Sequence, residues 1–82
     1  MNTTSFINWL QTTKAMSIRS AKDVVSRCGR VHRMLNVEAI NDDSLSMLAE
    51  NESFRESSMF IKSQLKRAVS LYLEFLAEQE TV

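Results

Sequence analysis

In the stretch SIRSAKDVVSRCGRVHRML, the side chains Arg19, Lys22, Ser26, Arg30 and Arg33 recur at spacings of three and four residues. At 100° per residue these five fall within about 80° of one another on a helix. A ridge of four cations suits a row of phosphates, because each can neutralise one backbone charge and release its counterion, while Ser26 can add a hydrogen bond. Arginine matters more than lysine here, since its planar fork takes two phosphate oxygens or a guanine edge. The only acid within reach on the same helix is Asp23, which can serve Arg19 or Arg27 and leaves the other cations without an i±4 partner. A solvated helix face is the plain alternative for any such row.

A second, smaller basic group stands at Lys62, Lys66 and Arg67, beside Ser57, Ser58 and Ser63, while Glu74, Glu78 and Glu80 crowd the end of the same apolar pattern. That order is the reverse of what a helix dipole favours. It suits an anion held near the start of the helix, or charges set by tertiary context.

The remaining reactive side chains do not assemble a catalytic centre. Cys28 and His32 lie one turn apart and are the only cysteine and histidine, so four zinc ligands cannot be completed. They read as a buried thiol and a half-exposed imidazole. Asp42 and Asp43 precede a helix, where an N-cap and a favourable dipole account for both. No glycine loop exists to cradle a phosphate: the single glycine, Gly29, sits inside the second helix, at a cost of about 1 kcal/mol against alanine, as for a close helix approach or a bend. With no nucleophile and positioned base, no converging carboxylates and no metal cluster, the expectation is a non-enzyme without cofactor.

The elements that must carry these residues follow from composition. Eighty-two residues with 44% hydrophobic content make one small domain, held by burial, since one cysteine closes no internal disulfide. No apolar run reaches the ~20 residues needed to span a bilayer, and no signal peptide is evident, so a soluble cytoplasmic protein with no membrane partner is expected. Net charge is zero, yet residues 1–36 carry six cations and one acid, and residues 37–82 carry four cations and nine acids. The +5 half hints at an anionic partner; equally, the two halves can neutralise each other on folding.

With no proline and one glycine the chain should be all helical. Four helices are predicted, short, long, short and long. The first covers about residues 5–12, with Phe6, Trp9 and Leu10 on one face. The second runs over about 18–36, entered through Ser17 or a capping box at Ser20 to Asp23, with Ala21, Val24, Val25, Cys28, Val31 and Leu35 turned to the core. The third is about 43–51, packed through Leu45 and Leu48. After the connection ESFRES, the fourth covers about 58–79, with Ile61, Leu65, Ala68, Val69, Tyr72, Phe75 and Leu76 in its stripe.

The succession SFINWL, SIRSAKDVVSRCGRVHRML and SQLKRAVSLYLEFL resembles the helical, SAM-like core-binding domain that precedes the catalytic domain of tyrosine recombinases and phage integrases. In that family a short helix with aromatic and leucine anchors leads through a serine-capped turn into a long basic helix. A closing helix follows with leucine, a basic pair, a small residue, tyrosine, phenylalanine and leucine, here Leu65, Lys66-Arg67, Ala68, Tyr72, Phe75 and Leu76. The resemblance spans roughly residues 5–77. It implies a compact four-helix module of a phage or mobile element that clamps duplex DNA without catalysis, its second and fourth helices against the duplex. The matching positions are Arg19, Lys22, Ser26, Arg30 and Arg33, then Ser58, Lys62 and Lys66, with Ser63 beside them. The family's catalytic arginine, histidine and tyrosine constellation is not present, and Tyr72 falls on the apolar face of the last helix.

A protein-interaction or inhibitor module is the rival expectation, docking through the acidic residues Glu50, Glu52, Glu56, Glu74, Glu78 and Glu80 or through the last helix. Leu71, Leu73 and Met59 lie outside that helix's main stripe, so it is either central in the fold or covered by another chain, and a homodimer through it serves both readings.

Overall fold

The computed structural model describes residues 3–80. Its described residues form five helices and no strand: α1 (Thr3–Thr13), α2 (Ile18–Leu35), α3 (Ser44–Glu50), α4 (Glu52–Arg55) and α5 (Met59–Glu80). The all-helical expectation holds, and the count of four is corrected to five. The extra helix is the single turn α4, within what reads as a connection. Asn51 ends α3 in an extended conformation, and its Oδ1 then accepts the Phe54 N–H at 3.0 Å, which starts a new turn. Phe54, 3% exposed, fastens that turn to the core, and Asn51 Nδ2 donates to the Met34 carbonyl at 3.1 Å, tying it to the end of α2. No helix of the described residues is long and apolar enough to cross a membrane.

Caps explain where the long helices begin. Ser17, in an extended conformation, accepts the Ser20 N–H on its Oγ at 3.1 Å, so Ser17 rather than the Ser20–Asp23 box opens α2. Ser58 does the same for α5, its Oγ accepting the Ile61 N–H at 3.2 Å. At α3, Asp43 holds the cap position without a side-chain cap bond, correcting the capping role read for the Asp42-Asp43 pair. The work there falls to neighbours: Asn41 Oδ1 accepts the Asp43 N–H at 2.9 Å, and the buried Ser44 Oγ accepts the Asn41 N–H at 2.9 Å.

Among the described residues, two other than glycine take positive φ. Asn36 (φ 54°) closes α2 in the left-handed conformation that asparagine tolerates, with its N–H on the His32 carbonyl. His32 Nδ1–H donates to the Val37 carbonyl at 3.3 Å and staples the same turn. Ala15 (φ 53°) turns the chain between α1 and α2, and the Met16 N–H reaches back to the Leu10 carbonyl at 3.1 Å.

α5 contacts α1, α2 and α3, and with α2, which contacts α1, α3 and α5, it forms the centre of the fold. Phe6 and Trp9 of α1 meet Tyr72 and Phe75 of α5, with Phe6 5.1 Å from the Tyr72 ring in edge-to-face geometry and 5.2 Å from Phe75. α2 crosses α5 where Cys28 and Ala68 touch, the thiol donating to the Ala68 carbonyl at 3.4 Å. This central position accounts for the second apolar side of α5: Leu71 is buried and Leu73 half-buried inside one chain. Met59 is different, at 75% exposed, and Phe60 beside it is 68% exposed.

Candidate nucleic-acid interface

The apolar stripe of α2 decides where its cations point. Ala21, Val24, Cys28 and Val31 are buried, so the opposite side of the helix is turned straight to solvent. Arg19, Lys22, Ser26, Arg30 and Arg33 are all exposed. From Arg19 to Arg33 the ridge runs about 21 Å at 1.5 Å per residue, roughly six base-pair rises along a duplex axis. Among the described residues no carboxylate lies within ion-pairing distance of these four cations, and Asp23 pairs with neither Arg19 nor Arg27. Between the two halves, Lys14 Nζ pairs with Glu74 Oε1 at 2.7 Å, where the ammonium also stands 5.6 Å from the Trp9 ring. The ridge is left charged.

Gly29 lies beside the ridge, and no helix approaches it. A Cβ built there would meet only Arg33 Nη1, at 3.5 Å, an ordinary contact. The close approach expected at this glycine is therefore not made by the rest of the chain.

The basic group of α5 divides around that helix. Arg67 lines a groove of about 300 Å³ with Met16, Ser20, Asp23, Val24 and Arg27 of the α2 side. Lys62, half-buried, and the exposed Lys66 share the flank that, two turns on, faces residues 40–42 through Leu73 and Ala77. Ser58 is exposed; its Oγ caps α5 by accepting the Ile61 N–H, which leaves the hydroxyl hydrogen able to donate to an anion. Arg27 and Arg67 line one groove between α2 and α5; Arg67 stood in the second basic group, whereas Arg27 was not among the expected contact residues. The signal was in the wheel: Arg27 lies about 60° from Val24, on the shoulder of the core stripe.

Cys28 is fully buried, and desolvation pushes its thiol up to about 12, far from a reactive thiolate. Burial also raises the Tyr72 hydroxyl, with a smaller push from a charged Cys28. Glu50, Glu52, Arg55 and Glu56 line an open groove on α3 and α4, separate from the basic ridge.

No family model, no curated protein and no solved structure matches this chain.

Proposed function

We propose that this chain is a non-catalytic DNA-binding module of core-binding type, which holds duplex phosphates on the α2 ridge and on the first half of α5. The observation that carries the reading is the ridge itself: Arg19, Lys22, Arg30 and Arg33, exposed along one face, unpaired by any carboxylate of the described residues, with Ser26 among them. An isolated like-charged row is electrostatically unfavourable in the free chain and becomes favourable when a polyanion lies on it. Lys62, Lys66 and the Ser58-capped start of α5 extend the contact, and Arg27 and Arg67, which line one groove, add positive charge between the two helices.

Fluorescence anisotropy with labelled duplex DNA tests it. If the four ridge cations each neutralise one phosphate, the log–log salt slope is about −3.6, and raising salt from about 50 to about 200 mM weakens binding about 150-fold. Reversal of Arg19, Arg30 and Arg33 to glutamate should abolish binding while the circular dichroism spectrum is unchanged, because all three side chains are exposed. A folded native chain that fails to bind duplex at low salt refutes the proposal. That result would favour the second reading, a protein-interaction module, for which the separate acidic groove at Glu50, Glu52 and Glu56 is the surface to test.

A further inference from the structure

The two most exposed large apolar side chains of the described residues are adjacent, Met59 at 75% and Phe60 at 68%, in the first turn of α5. Neither belongs to the grooves at Ile40–Ala77, at Met16–Arg67 or at Glu50–Glu56, and both stand largely in solvent. Met59 heads a line of two cations along the helix, and Phe60 a line that ends in one. By 100° per residue, Met59, Lys62 and Lys66 fall within about 60° of one another, and so do Phe60, Ser63 and Arg67. From residue 55 to 67 there are four cations against one carboxylate, Glu56.

This charge selects the occupant. A second copy docking through the same turn in two-fold fashion would bring Lys62, Lys66 and Arg67 of both chains together. A polyanion removes the repulsion. A projecting phenylalanine with a methionine beside it, set between cations, has the composition of side chains that enter between base steps while basic neighbours hold the backbone.

Resting on the DNA reading above, we propose that Phe60, supported by Met59, is an apolar wedge that enters duplex DNA at a deformable step, so that the module prefers sites that unstack easily. Pyrimidine–purine steps and mismatches cost least to open, and they are the sites it would select. Lys62, Lys66 and Arg67 then take the phosphates flanking the opened step.

The test compares the native chain, Phe60→Ala and Phe60→Leu on three duplexes of equal length: one with a central mismatch, one with TA steps and one rigid and matched, with 2-aminopurine beside the central step. The expected result is that the native chain binds the mismatched and TA duplexes roughly fivefold tighter than the rigid one, in line with the lower end of base–aromatic stacking. 2-Aminopurine fluorescence should rise on binding. Phe60→Ala should bind the rigid duplex within about twofold of native yet lose the preference, and Phe60→Leu should keep part of it. Phe60 is exposed, so unchanged helicity is expected in both variants. Duplex binding that is equal on all three DNAs and indifferent to Phe60→Ala overturns the wedge and leaves the DNA reading standing. Tighter binding to single strand than to any duplex also overturns it, in favour of a stacking platform. Absence of all nucleic-acid binding by the native chain fails both proposals, and binding of an acidic protein surface through Phe60 would then replace them.

Discussion

Replacing Gly29 by alanine should stabilise this protein. Gly29 is in the interior of α2, its φ is not positive, and the only neighbour an added methyl would meet is the end of the Arg33 side chain at 3.5 Å. Nothing in the folded chain therefore uses the freedom of a glycine, while the unfolded chain retains all of it. The helix-interior difference between glycine and alanine is about 1 kcal/mol. At about 2.1 cal/mol/K of unfolding entropy per residue, 82 residues convert that gain into a rise in Tm of about 6 °C. Thermal unfolding followed by far-UV circular dichroism measures it, and fluorescence of Trp9, the sole tryptophan and a buried one, provides a second probe for urea unfolding. A Tm equal to or below native would refute the reasoning, since it would require a packing contact at Gly29 that the fold does not contain. Duplex binding by the same variant is informative in its own right: a stabilised chain that binds DNA more weakly marks Gly29 as a point where phosphate comes close to the helix backbone.

The converse change, Ala15→Gly, should also stabilise, by about 0.5 kcal/mol in urea unfolding, because relief of the left-handed conformation at φ 53° is partly offset by the greater entropy of an unfolded glycine. Ser17→Ala should cost about 1 kcal/mol by loss of the α2 cap, and Ser20→Ala clearly less; equal costs in the same denaturation assay would contradict the assignment of the cap to Ser17. For Cys28, the folded thiol is pushed up to about 12, above the about 8.5 of an unfolded cysteine. The folded state thus holds its proton longer, and the associated stability is fully present below pH of about 8.5 and is lost as pH rises towards the folded value. Urea midpoints should fall above pH of about 9, less steeply in Cys28→Ala, with Tyr72 contributing a decline of the same sign. A pH-independent midpoint over that range would contradict the burial of the thiol.

Much of this fold is legible in the sequence because period and caps agree. Phe6, Trp9 and Leu10 are the buried residues of α1, and Ala21, Val24, Cys28 and Val31 those of α2, as their spacing predicts. Where two rules compete, the sequence leaves the choice open. Ser17 and Ser20 are both acceptable caps, and the choice rests on which residue leaves the helical conformation, a matter settled by the turn at Ala15 upstream. The single turn α4 is too short to carry a periodic signal; it exists because Asn51 restarts the backbone ladder and Phe54 finds a place in the core. The exposure of the α2 ridge follows from the opposite stripe, whereas the placing of Arg27 and Arg67 in one groove depends on how α2 crosses α5, which no residue spacing encodes.

The same limit explains Phe60. On a helical wheel Phe60 and Leu71 differ by only about 20°, so a pattern argument must treat them alike. In the fold Leu71 is 7% exposed and Phe60 is 68% exposed. What separates them is position along the axis: eleven residues, or about 16 Å. Leu71 lies at the level where α1 lays Phe6 against Tyr72, whereas Phe60 stands in the opening turn of the helix. A wheel has no axial coordinate and cannot see this. The mismatch between an apolar residue type and its exposure is therefore information that only the fold supplies. It falls on the turn that Ser58 caps and that Lys62, Lys66 and Arg67 follow, where a hydrophobic side chain in water gains most from a partner that also needs cations. On this reasoning the first turn of α5 is the place where a partner would be felt first, and Phe60→Ala should change what the protein prefers to bind before it changes how well the protein folds.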